Sequence, residues 1–128
     1  MSYFSGDLHK LLIRKGATEE VAERVVNEMQ ELGYLDDQAW VNSYIRRQLA
    51  GKKGGRDIQQ QLRQRGVRSE LFEGRMPSEE EEREAVDLLL QTRYRNRNLD
   101  DPKERMKVKA ALARRGFSFD TIDSVFRR

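Results

Sequence analysis

The sequence predicts an all-α fold, an elongated tandem array of three-helix repeats, on three observations. Apolar residues recur at three- and four-residue steps, with few β-branched alternations and only two prolines. Glycines stand where those runs stop, as they do where a left-handed residue closes a helix. A set of apolar columns returns every fifty residues.

The elements follow in order. The first helix covers about residues 7–14, with Leu8, Leu11 and Leu12 on one side and Gly16 at its end. Thr18 caps the second, whose first-turn Glu19 and Glu20 suit the positive end of the helix dipole. Its stripe is Val21, Ala22, Val25, Val26, Met29 and Leu32, up to Gly33. Asp36 or Asp37 starts a third helix, with Trp40, Val41, Tyr44, Ile45 and Leu49 inward and Gly51 at its end. Gly54 and Gly55 lead into a helix holding Ile58 and Leu62, closed by Gly66. Ser69 opens a short helix with Leu71, Phe72 and Met76, broken by Pro77. Ser78 and Glu81 form a capping box before a long helix to about residue 96, with Val86, Leu89, Leu90 and Tyr94 buried. Asp101-Pro102 is a cap followed by a proline suited to the first helical position. That helix holds Val108, Ala111 and Leu112 and ends at Gly116. Ser118 caps the last helix, which turns Ile122, Val125 and Phe126 inward. The expected total is eight helices.

Gly16, Gly66 and Gly116 set the register of the repeat. A basic residue precedes each (Lys15, Arg65, Arg115), and a leucine stands four positions before each (Leu12, Leu62, Leu112). Leu8, Ile58 and Val108 form a third column; Ala17, Val67 and Phe117 a fourth; Ala22, Phe72 and Ile122 a fifth; Val26, Met76 and Phe126 a sixth. Trp40 aligns with Leu90, and Tyr44 with Tyr94. The boundaries this predicts are a partial repeat of two helices over 1–34, a three-helix repeat over 35–77 and another over 78–128. Three short helices bury little alone, so neighbouring repeats must share apolar faces.

Composition excludes several chemistries. With no cysteine, the chain has no disulfide, thiolate nucleophile or thiolate-bound zinc, and one histidine cannot build a His-rich metal site. No apolar run approaches the roughly 18 residues of a membrane helix, and the first residues given show neither the apolar stretch nor the small-residue cleavage site expected of a signal peptide. A cytoplasmic, non-enzymatic protein without a cofactor is expected. The net charge is only +3, but it is unevenly spread. Residues 51–68 carry six basic side chains against Asp57 alone, and residues 93–115 carry nine against Asp100, Asp101 and Glu104. Between them lie Glu79, Glu80, Glu81, Glu82 and Glu84. Basic clusters of this kind attract polyanions through counterion release, although solvated helix faces look the same.

Leu32-Gly33-Tyr34-Leu35-Asp36-Asp37, followed by Trp40 and Tyr44, resembles a segment of the bacterial regulatory protein RecX family. So do Lys53-Gly54 with Ile58, Leu62 and Arg65-Gly66-Val67, and Lys107, Leu112 and Arg114-Arg115-Gly116-Phe117. The resemblance runs in one register from about residue 7 to the end. It implies an array of three-helix repeats that binds the RecA–DNA filament and restrains recombination and the SOS response. Family members place a further helix ahead of the first one here, so the first repeat is expected to lack its leading helix.

The remaining residues fit that implication. The starts of the second helices hold Glu19-Glu20, Ser69-Glu70 and Phe119-Asp120, which repel phosphate and cannot read bases as Arg, Asn or Gln would. Lys52, Lys53 and Arg56 flank a glycine-rich helix start, where free N–H groups and the dipole favour an anion. Arg93 and Arg97 stand one helical turn apart. The expected contacts are Lys52, Lys53, Arg56, Arg63, Arg65, Arg93 and Arg97, tracking DNA phosphate or acidic protein surface. The expected partner is the RecA–DNA filament, with single- or double-stranded DNA bound without sequence preference, and the expected state is a monomer. Tyr34, Trp40, Tyr44 and Tyr94 read as core rather than base-stacking residues. Residues 51–56 lack P-loop spacing and a preceding strand. The glutamate run reads as dipole compensation, Asp36 and Asp37 as helix caps, and His9 as a surface or half-buried residue without a partner.

Overall fold

The computed structural model describes residues 4–127, which form seven α-helices and one 3-10 turn, with no strand among them. The helices are α1 Ser5–Arg14, α2 Glu19–Glu31, α3 Asp37–Ala50, α4 Gly55–Gln64, α5 Glu79–Gln91, α6 Pro102–Arg114 and α7 Phe119–Phe126. The caps sit where side-chain chemistry puts them. Thr18, Asp36, Ser78, Asp101 and Ser118 each accept a hydrogen bond from a first-turn N–H, and Ser78 with Glu81 completes a reciprocal box.

The basic-glycine turns are three copies of one device. Gly16, Gly66 and Gly116 all have positive φ, and the N–H of the next residue returns to the leucine carbonyl five positions back. Those bonds are Ala17 to Leu12 at 3.0 Å, Val67 to Leu62 at 3.1 Å and Phe117 to Leu112 at 3.3 Å. This is the six-to-one closure of a helix end, and it brings the apolar residue after the glycine onto the leucine before it. The periodic columns are therefore helix ends and their anchors.

Two expected helices are shorter or absent. Only Ser69–Leu71 is helical after Arg68, as a 3-10 turn. Gly74 then takes φ +72° and Pro77 follows, leaving too few residues for α-helical propagation. Phe72 still reaches the core, 1% exposed, without the helix. The long helix stops at Gln91 rather than near residue 96. Thr92 hydroxyl donates back to the Leu88 carbonyl at 2.7 Å, a local bond that competes with propagation, and Tyr94 N–H folds back to Leu89 O.

Two apolar clusters form the core. One joins Val41, Tyr44 and Ile45 of α3 to Ile58, Leu62, Val67, Phe72 and Phe4. The other joins Ala85, Val86 and Leu89 of α5 to Tyr94, Val108, Leu112, Phe117, Ile122 and Val125. Leu49 at the end of α3 packs against both. The α1–α2 pair has no such cluster: only Ala22 and Val26 of its helices are buried, and Val21 and Leu32 are exposed, against the expected stripe. Tyr34 is also a correction, since it is 69% exposed rather than core.

Candidate nucleic-acid interface

The glycine-rich start of α4 is the junction between the two cores. Gly54 N–H donates to the Arg115 carbonyl at 2.8 Å, and Arg56 N–H to the Gly116 carbonyl at 3.1 Å. Arg115 Nη1 returns a bond to the Lys52 carbonyl at 3.3 Å. The two glycines are forced by proximity. A Cβ on Gly54 would lie 2.3 Å from the Gly116 carbonyl carbon, and one on Gly116 would lie 2.5 Å from Asp57 Cβ.

Between these bonds, Gly55 N–H donates to Glu82 Oε2 at 2.8 Å, and Thr121 hydroxyl donates to Glu82 Oε1 at 3.4 Å. Glu82 is buried, and that burial raises its pKa, opposed by the Gly55 and Thr121 bonds and reinforced by Glu79. The expected free anion cradle is thus overturned. The helix start that favours an anion already holds one, the Glu82 carboxylate, and its neighbouring N–H groups are bonded to turn carbonyls. The expectation of mere dipole compensation is also too weak for Glu82, which ties α4, α5 and α7 together.

What faces outward is side chain. Arg56, Arg63 and Arg93 are exposed, while Lys52 and Lys53 are half-buried beside the junction. Lys52 Nζ donates to the Ala50 carbonyl at 3.0 Å, and Lys52 holds φ 64°, a left-handed backbone that the ends of α1, α2, α4 and α6 give to glycine. Arg56 and Arg63 are two turns apart on α4 and share a face. Arg93 and Arg97 lie in the turns after α5, so their spacing defines no helix face, contrary to expectation. Arg97 pairs with Glu104 at 2.8 Å, which pins this loop to α6.

Arg65 is exposed but already engaged by its own chain. It pairs with Asp7 at 3.4 Å and lies 5.4 Å from the ring centroids of both Trp40 and Tyr44. Phe4, Trp40 and Tyr44 form an aromatic ladder at 5.1 Å spacings, and Phe4 is a core residue that periodicity did not single out. Asp36 caps α3 as expected, whereas Asp37 reaches across to accept from Ser5 N–H and its hydroxyl, fixing the start of α1. His9 is half-buried but has a partner, Glu19, at 3.0 Å. No group of three or more metal-ligating side chains occurs among the described residues, and no helix there is long and apolar enough to cross a membrane.

Known proteins share this architecture. The family model described as the third three-helix domain of RecX matches residues 79–126. A Mycobacterium sp. (strain JLS) protein named "Regulatory protein RecX" is 33% identical over 120 residues, covering 88% of this chain and 66% of the relative. Its counterpart from Vibrio parahaemolyticus serotype O3:K6 is 32% identical over 117 residues, covering 91% of this chain and 76% of the relative. The chain thus spans about two thirds of the mycobacterial protein. The crystal structure of RecX from Lactobacillus salivarius superposes with a TM-score of 0.84 at 22% identity, over 99% of this chain and 85% of that one.

Proposed function

The chain belongs to the RecX family, and from that premise we propose that it is a non-enzymatic modulator, mainly an inhibitor, of the RecA recombinase. It docks along the RecA-coated DNA filament and so regulates recombination, DNA repair and the SOS response. One observation carries the reading. The outward basic groups Arg56, Arg63 and Arg93 offer charge without base-reading geometry, while the backbone donors beside them are consumed internally. Such a surface follows a backbone or an acidic face without reading sequence. The Gly54–Gly116 junction couples the two cores, so groups on both engage the filament together. The array wedges into the filament groove, bridges adjacent subunits and hinders the cycle in which they move.

The test is fluorescence anisotropy at two salt concentrations. It compares naked single-stranded DNA with the same DNA coated by RecA and a non-hydrolysable nucleotide. Clear preference for the coated strand is expected. The triple reversal Arg56→Glu, Arg63→Glu and Arg93→Glu is expected to weaken that binding by at least about tenfold. Undiminished binding by the triple variant overturns the contact assignment. The same basic groups favour a second reading, a non-specific DNA-binding protein. Equal or tighter binding to naked DNA, with steep salt dependence, would select it.

A further inference from the structure

Outside that surface, two adjoining cavities of about 600 and 360 Å³ run along α1 and share His9 and Lys10 in their walls. Their apolar floor comes from Ile13 in one and from Phe4 and Leu71 in the other. The rim carries Lys10, Arg14 and Arg68, all exposed, and none has an ion-pair partner among the described residues. The acidic side chains of the trough are already engaged, Asp7 by Arg65 and Glu19 by His9. What is left is net positive charge over an apolar floor.

We propose that this trough docks an acidic peptide segment bearing an apolar anchor side chain, supplied by a partner protein. The inference goes beyond the filament reading and stands without it. A nucleic-acid backbone matches the trough poorly, because phosphodiester buries no apolar surface on Ile13 and Leu71. Spaced carboxylates around an aliphatic or aromatic anchor satisfy both the rim and the floor.

The probe is a short fluorescein-labelled peptide of aspartate and glutamate with a leucine at every fourth position, titrated with the whole chain. Binding is expected, with the double variant Lys10→Glu/Arg68→Glu weaker by at least about tenfold and Ile13→Ser weaker by about threefold. Circular dichroism of each variant establishes that it folds, and a parallel titration with RecA-coated DNA keeps failure of this site distinct from failure of the filament reading. An unlabelled thymidine oligonucleotide is expected not to displace the peptide. Absence of binding by the folded wild-type chain overturns the proposal, as does binding unmoved by the double variant. Displacement by the oligonucleotide together with indifference to Ile13→Ser reassigns the trough to nucleic acid. Self-association abolished by these same substitutions reassigns it to a second copy of the chain.

Discussion

The α1–α2 pair and the α5–α7 unit carry the same columns of side chains one hundred residues apart, and bury them to different depths. Val108, Leu112 and Phe117 are 1%, 0% and 0% exposed, whereas Leu8, Leu12 and Ala17 are half-buried. Thr121 and Val125 on α7 are buried, in a helix whose most extensive packing is on α5. Val21 and Val25, their equivalents on α2, are exposed and half-buried. Both regions close their helix ends with the same turn, so local structure does not separate them. The third helix does. A repeat pattern specifies which face is apolar, and a neighbouring element decides how much of that face leaves water.

The glycines should break this symmetry most sharply. Gly116→Ala forces a methyl group into Asp57 and puts alanine at φ +97°. It is expected to cost about 4 kcal/mol, overpacking plus left-handed strain. At the equivalent Gly16, φ is +102° with nothing within 4 Å, so Gly16→Ala should cost only about 1 kcal/mol. Urea midpoints of the two variants measure the difference, and equal midpoints would show that the junction relaxes freely. The leucine column gives the next contrast. Leu112→Ala empties a fully buried site and should cost about 3 kcal/mol, against about 1 kcal/mol for half-buried Leu12→Ala.

Glu82 sharpens the comparison at its centre, because its carboxylate joins three helices, whereas Asp37 at the start of α1 accepts from Ser5 alone. Glu82→Ala strands the Gly55 N–H and Thr121 hydroxyl and should destabilise by about 2 kcal/mol. Glu82→Gln keeps one oxygen to accept from the Gly55 N–H and turns an amide N–H to the Thr121 hydroxyl oxygen, which can accept it, and should lose less. The sign of the pH effect follows from the raised pKa of Glu82. The folded chain holds this proton more tightly than the unfolded one, so the favourable contribution is present below the unfolded pKa and is lost as pH rises through the folded one. The wild-type minus Glu82→Gln difference in stability should therefore shrink in that acidic window, and a flat difference across it would remove the linkage. The smallest effect expected is at Lys52. Replacing it with glycine relieves φ 64° and should stabilise the fold by about 0.5–1 kcal/mol.

Much of the architecture was legible in the residues because it is enforced locally. Side chains at Thr18, Asp36, Ser78, Asp101 and Ser118 bond to N–H groups two or three residues away, and the glycines close helices on carbonyls five residues back. Periodicity likewise marked Ile58, Leu62, Val108, Leu112 and Ile122 as inward. The same local logic failed at residues 69–76 and 92–96, where Gly74 and the Thr92 back-bond outweighed the helical pattern.

The sequence by itself therefore determined the all-helical class, the caps, the fifty-residue register and the faces that turn inward, since those depend on near neighbours. Tertiary structure alone decided that Glu82, one of a run of glutamates, fills the start of α4 from 27 residues away, and that Arg65 lies against Trp40, Tyr44 and Asp7. It also decided that Phe4 joins a core and that Asp37 holds Ser5. Charge and hydrogen-bonding capacity are written in the residues. Whether a given group spends that capacity inside the fold or offers it to a partner depends on which distant groups packing brings within about 3 Å, and no periodicity encodes that.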